Sequence, residues 1–289
     1  MKINKNIVVL GLVATMLLGL TACGGTKADN KNTPEATNPA GSVNGTVLSG
    51  KLVIEGSTSM QKIFQELGDT YSAKNSKVDV QYIGDGSSAG IKAAIGDTAN
   101  IGTASREVKE EEASQGLEVI KVAEDAIVVI VNNENGVKDL SKEQIAKIYK
   151  KEITNWKDVG GKDAPIVVVA RDAASGTREA FESLFDVKDK VQADQEAAKT
   201  GEVKTIISQN PNAIGYISLA YADKMVKSLT VEGMVASTEN VLNGTYTIKR
   251  PFNIVTKGKP DELEKAFIDF IFTEEGKAII SKEAVPVSR

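Results

Sequence analysis

The sequence predicts an α/β protein, and three observations carry that prediction. From about Lys51 onward, short apolar runs rich in β-branched residues alternate with segments whose apolar residues recur at helical spacing. One run, "AIVVIVN" at 126–132, is nearly continuous in apolar residues, as a central strand should be. Several runs also end in a turn of Gly, Ser and Thr that leads directly into a helical pattern. These turns are Gly56-Ser57-Thr58-Ser59, Gly84-Asp85-Gly86-Ser87-Ser88-Ala89-Gly90, Gly102-Thr103-Ala104-Ser105 and Ala174-Ser175-Gly176-Thr177.

Taken in order, "KLVIEG" (51–56) reads as a buried strand, and Met60, Ile63, Phe64, Leu67 and Tyr71 then repeat with helical period. "VDVQYIG" (78–84) is a second strand and "AGIKAAIG" (89–96) a short helix. "ANIGTAS" (99–105) is a third strand running into a charged helical stretch. "LEVIKVA" (117–123) and "AIVVIVN" (126–132) read as two further strands. "LSKEQIAKIYKK" (140–151) opens with a capping box, Ser141 to Gln144. A strand at 165–170, a helix after the turn at 174–177, a polar helical stretch near 190–208 and the strand "AIGYISL" (213–219) follow. After "TYTIKRPFNIVTKG" (245–258), the helices "DELEKAFIDFIF" and "EEGKAIISK" close the chain.

The N-terminus is expected to be a leader rather than fold. Lys2 and Lys5 precede an apolar run at 7–20, too short for a stable membrane span and suited to the core of an export signal. Leu20-Thr21-Ala22-Cys23-Gly24 resembles a bacterial lipobox, in which the peptide is cut before Cys23 and that thiol is acylated. The alternatives are an ordinary signal peptide with an incidental cysteine, or an N-terminal anchor. Cys23 is the only cysteine, so no disulfide can form within the chain. Residues 24–50 are rich in Gly, Asn, Thr, Ala and Pro and read as a flexible tether.

Composition narrows the function. Loss of residues 1–22 removes two lysines and no acids, so the formal charge moves from −4 to −6. An acidic balance argues against a nucleic-acid partner, whose phosphates require a basic face. There is no histidine, which removes the commonest general base and, with a single cysteine, any Cys/His metal site. Gly84-Asp85-Gly86-Ser87-Ser88-Ala89 fits G-x-G-x-x-A with Glu107 downstream, but it falls in the second strand–helix unit of an exported chain, where a dinucleotide is out of place. No G-x-x-x-x-G-K-[ST] occurs, and Ser175 has no histidine to activate it as a nucleophile.

The turns therefore read as binding devices. A helix N-terminus carries unpaired N–H groups and about half a positive charge. Each turn alone could be a cap, since Ser and Thr are good N-caps. In an open sheet, however, turns at the carboxyl ends of strands face one crevice, where pooled N–H and hydroxyl donors make an oxyanion site. Arg171 and Arg178 flank the fourth turn, and a guanidinium in the crevice would add charge-assisted hydrogen bonds.

"EGSTSMQKIF", "GDGSSAGIKA", "NIGTASRE", "YKKEITNWKDVGG", "ARDAASGTREAF" and "NAIGYISLAYA" follow one another as in a known family. Over residues 51–289 the chain resembles the substrate-binding lipoproteins of bacterial high-affinity phosphate ABC transporters. The resemblance implies a type II periplasmic-binding-protein fold: two α/β lobes, 51–131 plus 251–289 and 132–250, joined by two crossover strands, with a ligand cleft that closes by hinge motion. It implies inorganic phosphate as ligand, ABC permease subunits as partners, a lipid anchor at Cys23 on the extracytoplasmic face, no cofactor, no chemistry and a monomer. Thr58, Ser59 and Ser87 from lobe 1, and Arg171, Ser175, Gly176 and Thr177 from lobe 2, are the implied contacts. Arg178, one turn into its helix, is expected to pair with an acid or face solvent.

Two positions depart from the family pattern. Asn100 stands where the family's third turn carries an aspartate that accepts the proton of hydrogen phosphate, and Ala173-Ala174 replaces an acid and a glycine. Asn100 is thus expected to relax selectivity for phosphate over sulfate, with Asp85 or Asp172 as substitute acceptors. A binding protein for another tetrahedral oxyanion such as sulfate is the alternative, and an exported phosphotransferase or esterase, or an adhesive surface lipoprotein, are the readings from other classes.

Overall fold

A computed structural model describes residues 48–289. Cys23, the leader and most of the tether lie outside the described residues. The strands that organise the fold are β1 (Gly50–Gly56), β2 (Val78–Gly84), β3 (Ile101–Ala104), β4 (Leu117–Val131), β5 (Val167–Arg171), β6 (Gln195–Ala197), β7 (Ala213–Ser218) and β8 (Lys249–Lys257). They form one continuous path in the order β2-β1-β3-β8-β4-β7-β5-β6. β1 runs parallel to β2 and β3, and β5 runs parallel to β6 and β7, so two parallel units flank a central antiparallel pair, β4 and β8.

β4 divides the molecule. Its first part pairs with β8 up to Ala126, and from Ile127 it pairs with β7 instead. The two runs expected as separate strands, 117–123 and 126–132, are this single strand of 15 residues. The interruption that separates them in the sequence, Glu124-Asp125, is a polar step inside the strand. Asp125 is fully buried and lies opposite Arg250 on β8, which neutralises it.

Both faces of each half-sheet are covered, which explains the nearly continuous apolar run. Along β4, Ile127, Val129 and Val131 enter one apolar cluster with Tyr149, Trp156, Phe181 and Tyr216. The alternate residues Val128 and Ile130 enter another with Val169, Val203 and Ile207. This is the period of two that a pleated strand imposes. In the other half, Leu52, Ile54, Phe64, Phe252 and Phe267 share a core with the helices Gln61–Lys74 and Glu262–Ile271, and Ile91, Ala94, Ala104 and Val255 fill the opposite face. We refer to the halves as lobes 1 and 2. Trp156 belongs to the lobe 2 core, where its indole N–H donates to Asn212 O at 2.9 Å.

Smaller expectations fare variously. The capping box is formed: Ser141 Oγ accepts from Gln144 N at 3.1 Å, and Gln144 Oε1 accepts from Ser141 N at 2.9 Å. The polar stretch near 190–208 is not one helix. Gln195–Ala197 pairs with β5 as an edge strand, and the helix begins only at Thr200.

Candidate anion-binding site

The parallel strands deliver their carboxyl ends to the boundary between the lobes. β1 ends at Gly56 and is followed by Ser57–Ser59. β2 ends at Gly84 and is followed by the helix Ser87–Ile95. β5 ends at Arg171, ahead of the helix Gly176–Leu184, and β6 ends at Ala197, ahead of the helix Thr200–Gln209. Helices leaving strands in this way point their N-termini, with unpaired N–H groups, into the crevice.

Hydroxyl groups from both lobes meet there. Thr58 Oγ1 lies 3.0 Å from Thr200 Oγ1, and Ser59 Oγ lies 2.9 Å from Thr177 Oγ1 and 3.0 Å from Thr200 Oγ1. All four residues are buried. Arg171, 1% exposed, forms the floor. Its guanidinium donates to Ala197 O (3.1 Å), Thr200 Oγ1 (3.1 Å), Thr58 Oγ1 (3.1 Å) and Ala198 O (2.8 Å). Every one of these acceptors is a neutral oxygen, and none of the ion pairs among the described residues includes Arg171. Burial pushes the guanidinium down to about 10, so it remains charged at neutral pH. The arrangement is a desolvated cation among hydroxyl and carbonyl oxygens, with no carboxylate among the described residues hydrogen-bonded to it, an environment that suits an anion.

The surrounding turns are braced. Tyr82 donates to Ser57 O at 2.6 Å, and Tyr221 donates to Thr58 O at 2.9 Å. Ser57 Oγ donates to Ser105 Oγ at 2.7 Å, and Ser105 N donates to Ser87 Oγ at 3.1 Å, which ties the first three turns together within lobe 1. Across the boundary, Ser88 N donates to Ala174 O at 3.2 Å. Gly176 lies against Ser87: a Cβ at Gly176 would sit 2.9 Å from Ser87 Cβ and 3.1 Å from Arg106 Cγ. Gly86 adopts φ +99°, a conformation that favours glycine, at the start of the helix Ser87–Ile95.

Of the residues singled out in the sequence, Thr58, Ser59, Arg171 and Thr177 come together in one hydrogen-bonded cluster, and Ser87 and Gly176 meet beside it. Ser175 is the N-cap of its helix, where its hydroxyl accepts from Arg178 N at 3.2 Å, so it is engaged locally. Arg178 pairs with Glu182 and Glu196, both at 2.7 Å, in keeping with the role expected for it.

Asn100 does not join the cluster. It precedes β3, and the register pairs Ile54 with Ile101 and Gly56 with Thr103. Asn100 is therefore three residues, about 10 Å, short of the cleft end of the strand. Its Oδ1 accepts from Val53 N at 2.9 Å, and its amide reaches Glu264. The positions level with the first turn are Thr103 to Ser105, so the selectivity argument built on Asn100 loses its footing. Two further groups were not legible as site residues. Thr200 was hidden in a stretch read as mid-helix, although Lys199-Thr200-Gly201 after Ala197-Ala198 would suit a strand–helix junction. Arg106 from lobe 1 reaches Glu179 of lobe 2 at 3.0 Å and is bidentate to Glu112 at 2.8 Å, closing one side of the boundary.

Comparison with known proteins bears on this geometry. Residues 33–275 match the family model of a PBP superfamily domain. The phosphate-binding protein PstS of Bacillus subtilis is 31% identical over 294 residues, covering 100% of this chain and 96% of its own. That of Borreliella burgdorferi is 34% identical over 243 residues, covering 80% and 87%. Among solved structures, a Clostridium perfringens chain assigned as a phosphate ABC transporter substrate-binding protein, crystallised with bound phosphate, superposes with a TM-score of 0.80. It is 41% identical and covers 83% of this chain and 100% of its own. An ABC-type phosphate transport receptor from Vibrio cholerae gives a TM-score of 0.68 at 36% identity, with 81% and 99% covered. With its sheet divided at β4, its strand ends gathered at one cleft and these relatives across its length, the chain belongs to the PstS phosphate-binding protein family, with the type II periplasmic-binding-protein fold.

Proposed function

We propose that the protein captures inorganic phosphate between lobe 1 (51–131 plus 251–289) and lobe 2 (132–250) and delivers it to an ABC permease for import. It does so as a monomer outside the cytoplasm, held to the membrane by an acylated Cys23. One observation carries the reading: Arg171 is a buried cation whose partners are all neutral and which is joined to hydroxyls of Thr58 and Thr200, beside Ser59 and Thr177. An oxyanion supplies the missing charge, and the N–H groups at the starts of the helices after β2, β5 and β6 supply donors of the kind that bind phosphate elsewhere. The relatives, phosphate-binding proteins and a phosphate ABC transporter substrate-binding protein, support the same ligand and the same transport partner. Ser59, Ser87, Gly176 and Thr177 are the contacts we assign beside Thr58 and Arg171, with Ser175 acting through its place at the helix start.

The function is binding rather than turnover. The hydroxyls bond to one another and to an arginine, and the chain has no histidine to deprotonate them.

A second oxyanion, sulfate, is favoured by one observation: among the described residues, no carboxylate is hydrogen-bonded to Arg171, Thr58, Ser59, Thr177 or Thr200. A carboxylate would accept the proton of hydrogen phosphate and repel sulfate, whereas a hydroxyl can donate or accept and satisfies either ligand. Titration calorimetry of the purified protein with phosphate, and then with phosphate in the presence of millimolar sulfate, tests both readings. One phosphate per chain is expected, weakened by sulfate, and heat from neither anion would refute the assignment. The anchor is tested separately by Cys23→Ser, which should leave the chain uncut or release it from membranes.

A further inference from the structure

We propose that Thr200 contacts the bound oxyanion directly, its hydroxyl sharing with Arg171 the recognition of the anion on the lobe 2 side. The proposal rests on the anion-site reading above and adds a residue and a helix end that the sequence did not disclose.

Thr200 is fully buried. Its Oγ1 lies 3.1 Å from Arg171 Nη1, 3.0 Å from Thr58 Oγ1 and 3.0 Å from Ser59 Oγ, and its N–H donates to Thr58 Oγ1 at 3.2 Å. A threonine at the start of a helix ordinarily serves that helix as a cap. Here the helix Thr200–Gln209 has Lys199 as its N-cap, and the Thr200 hydroxyl makes no bond to its own helix. Ser175 shows the contrast, since its hydroxyl is spent on Arg178 N. All the partners of the Thr200 hydroxyl are groups of the anion cluster, so neither capping nor packing accounts for it.

The guanidinium geometry points the same way. Arg171 uses Nη1 for Thr200 and Nη2 for Thr58, so the two ends of its fork each hold a hydroxyl oxygen. That fork is the geometry with which arginine grips two oxygens of one oxyanion. An anion entering between Thr58 and Thr200 meets both arms of the fork, the Thr200 hydroxyl and the Thr200 N–H at once. Thr200 Oγ1 can also accept, which gives a protonated phosphate oxygen a partner in a site without a bonded carboxylate.

The test is titration calorimetry with inorganic phosphate on the purified full-length protein, comparing wild type with Thr200→Val and Thr200→Ser, together with thermal melts without added phosphate. Thr200→Val keeps the shape and removes the hydroxyl. It should bind phosphate about 5- to 150-fold more weakly, the range for leaving a buried hydrogen-bonding group unmatched, while melting close to wild type. Thr200→Ser keeps the hydroxyl and should bind within about threefold of wild type, which identifies the hydroxyl as the cause even if the valine variant melts lower. Wild-type affinity in Thr200→Val, or equal loss in Val and Ser, overturns the role of Thr200 while leaving the site reading intact. If the wild type binds neither phosphate nor sulfate, the site reading itself falls, and this proposal with it.

Discussion

Arg250 and Arg171 are both buried, at 3% and 1% exposure, and both stand where the lobes meet, but their surroundings differ in kind. Arg250, on β8, donates twice to Asp125 Oδ2, at 3.1 and 2.9 Å, and through Nη1 to the backbone and hydroxyl of Ser105. The other oxygen of Asp125 accepts from Ser218 Oγ at 2.8 Å and from Leu219 N. Both charges and most of their hydrogen-bonding positions are satisfied within the protein. Burial pushes the Arg250 guanidinium down, and the adjacent carboxylate opposes it. Arg171 has the same burial and only neutral partners. At the crossover the protein balances its buried cation with a residue of its own, whereas in the cleft no carboxylate among the described residues is bonded to Arg171, and the proposed oxyanion would fill that place.

The comparison breaks most severely at the crossover. Asp125→Ala should leave Arg250 buried without a counter-charge and cost about 3–5 kcal/mol of stability, read from the midpoint shift in chemical denaturation. A variant as stable as wild type would mean that the pair is dispensable, and the contrast between the two arginines would lose its structural arm.

Gly176→Ala sharpens the cleft side. Its Cβ would press on Ser87, so overpacking at the contact between lobes should weaken phosphate binding by about 1–3 kcal/mol, or about 5- to 150-fold. The lone protein should melt no lower, because alanine favours the helix that Gly176 begins. Loss of melting temperature with unchanged affinity would place the contact in folding rather than in closure.

The smallest effect is expected at the edge of the boundary. Glu179 is 40% exposed and faces Arg106 and Lys109 across the lobes. Glu179→Gln should change phosphate affinity by no more than about 0.2–1 kcal/mol, and the difference should shrink as salt is added. A large effect that persists in high salt would require a more buried role for Glu179 than its exposure allows.

The two arginines were unequally legible in the sequence. Arg171 could be found because it ends an apolar strand and precedes a Ser-Gly-Thr turn, both local patterns. The Asp125–Arg250 pair joins residues 125 positions apart, and no local pattern discloses it. Asp125 read instead as a break between two strands. Asn100 was misplaced for a related reason: the strand segment that contains it was recognisable, but where each residue falls along β3 depends on register with β1, which only the pairing fixes. Thr200 was missed because a three-residue edge strand leaves too little periodicity to separate it from the helix that follows. The central place of β4 was legible in the nearly continuous apolar run at 126–132, and both its faces prove to be buried.

The central claim is that Arg171 is a cation kept for an oxyanion, and phosphate titration of wild type beside Arg171→Ala tests it most directly. Losing a charged hydrogen-bond partner from a desolvated site costs about 2–5 kcal/mol, so the variant should bind phosphate about 30- to 4,000-fold more weakly. It should also melt close to the wild type without phosphate, since removing an unbalanced buried charge removes its desolvation cost as well. An Arg171→Ala protein that binds phosphate as tightly as wild type, or that is destabilised as strongly as Asp125→Ala is expected to be, would contradict the account.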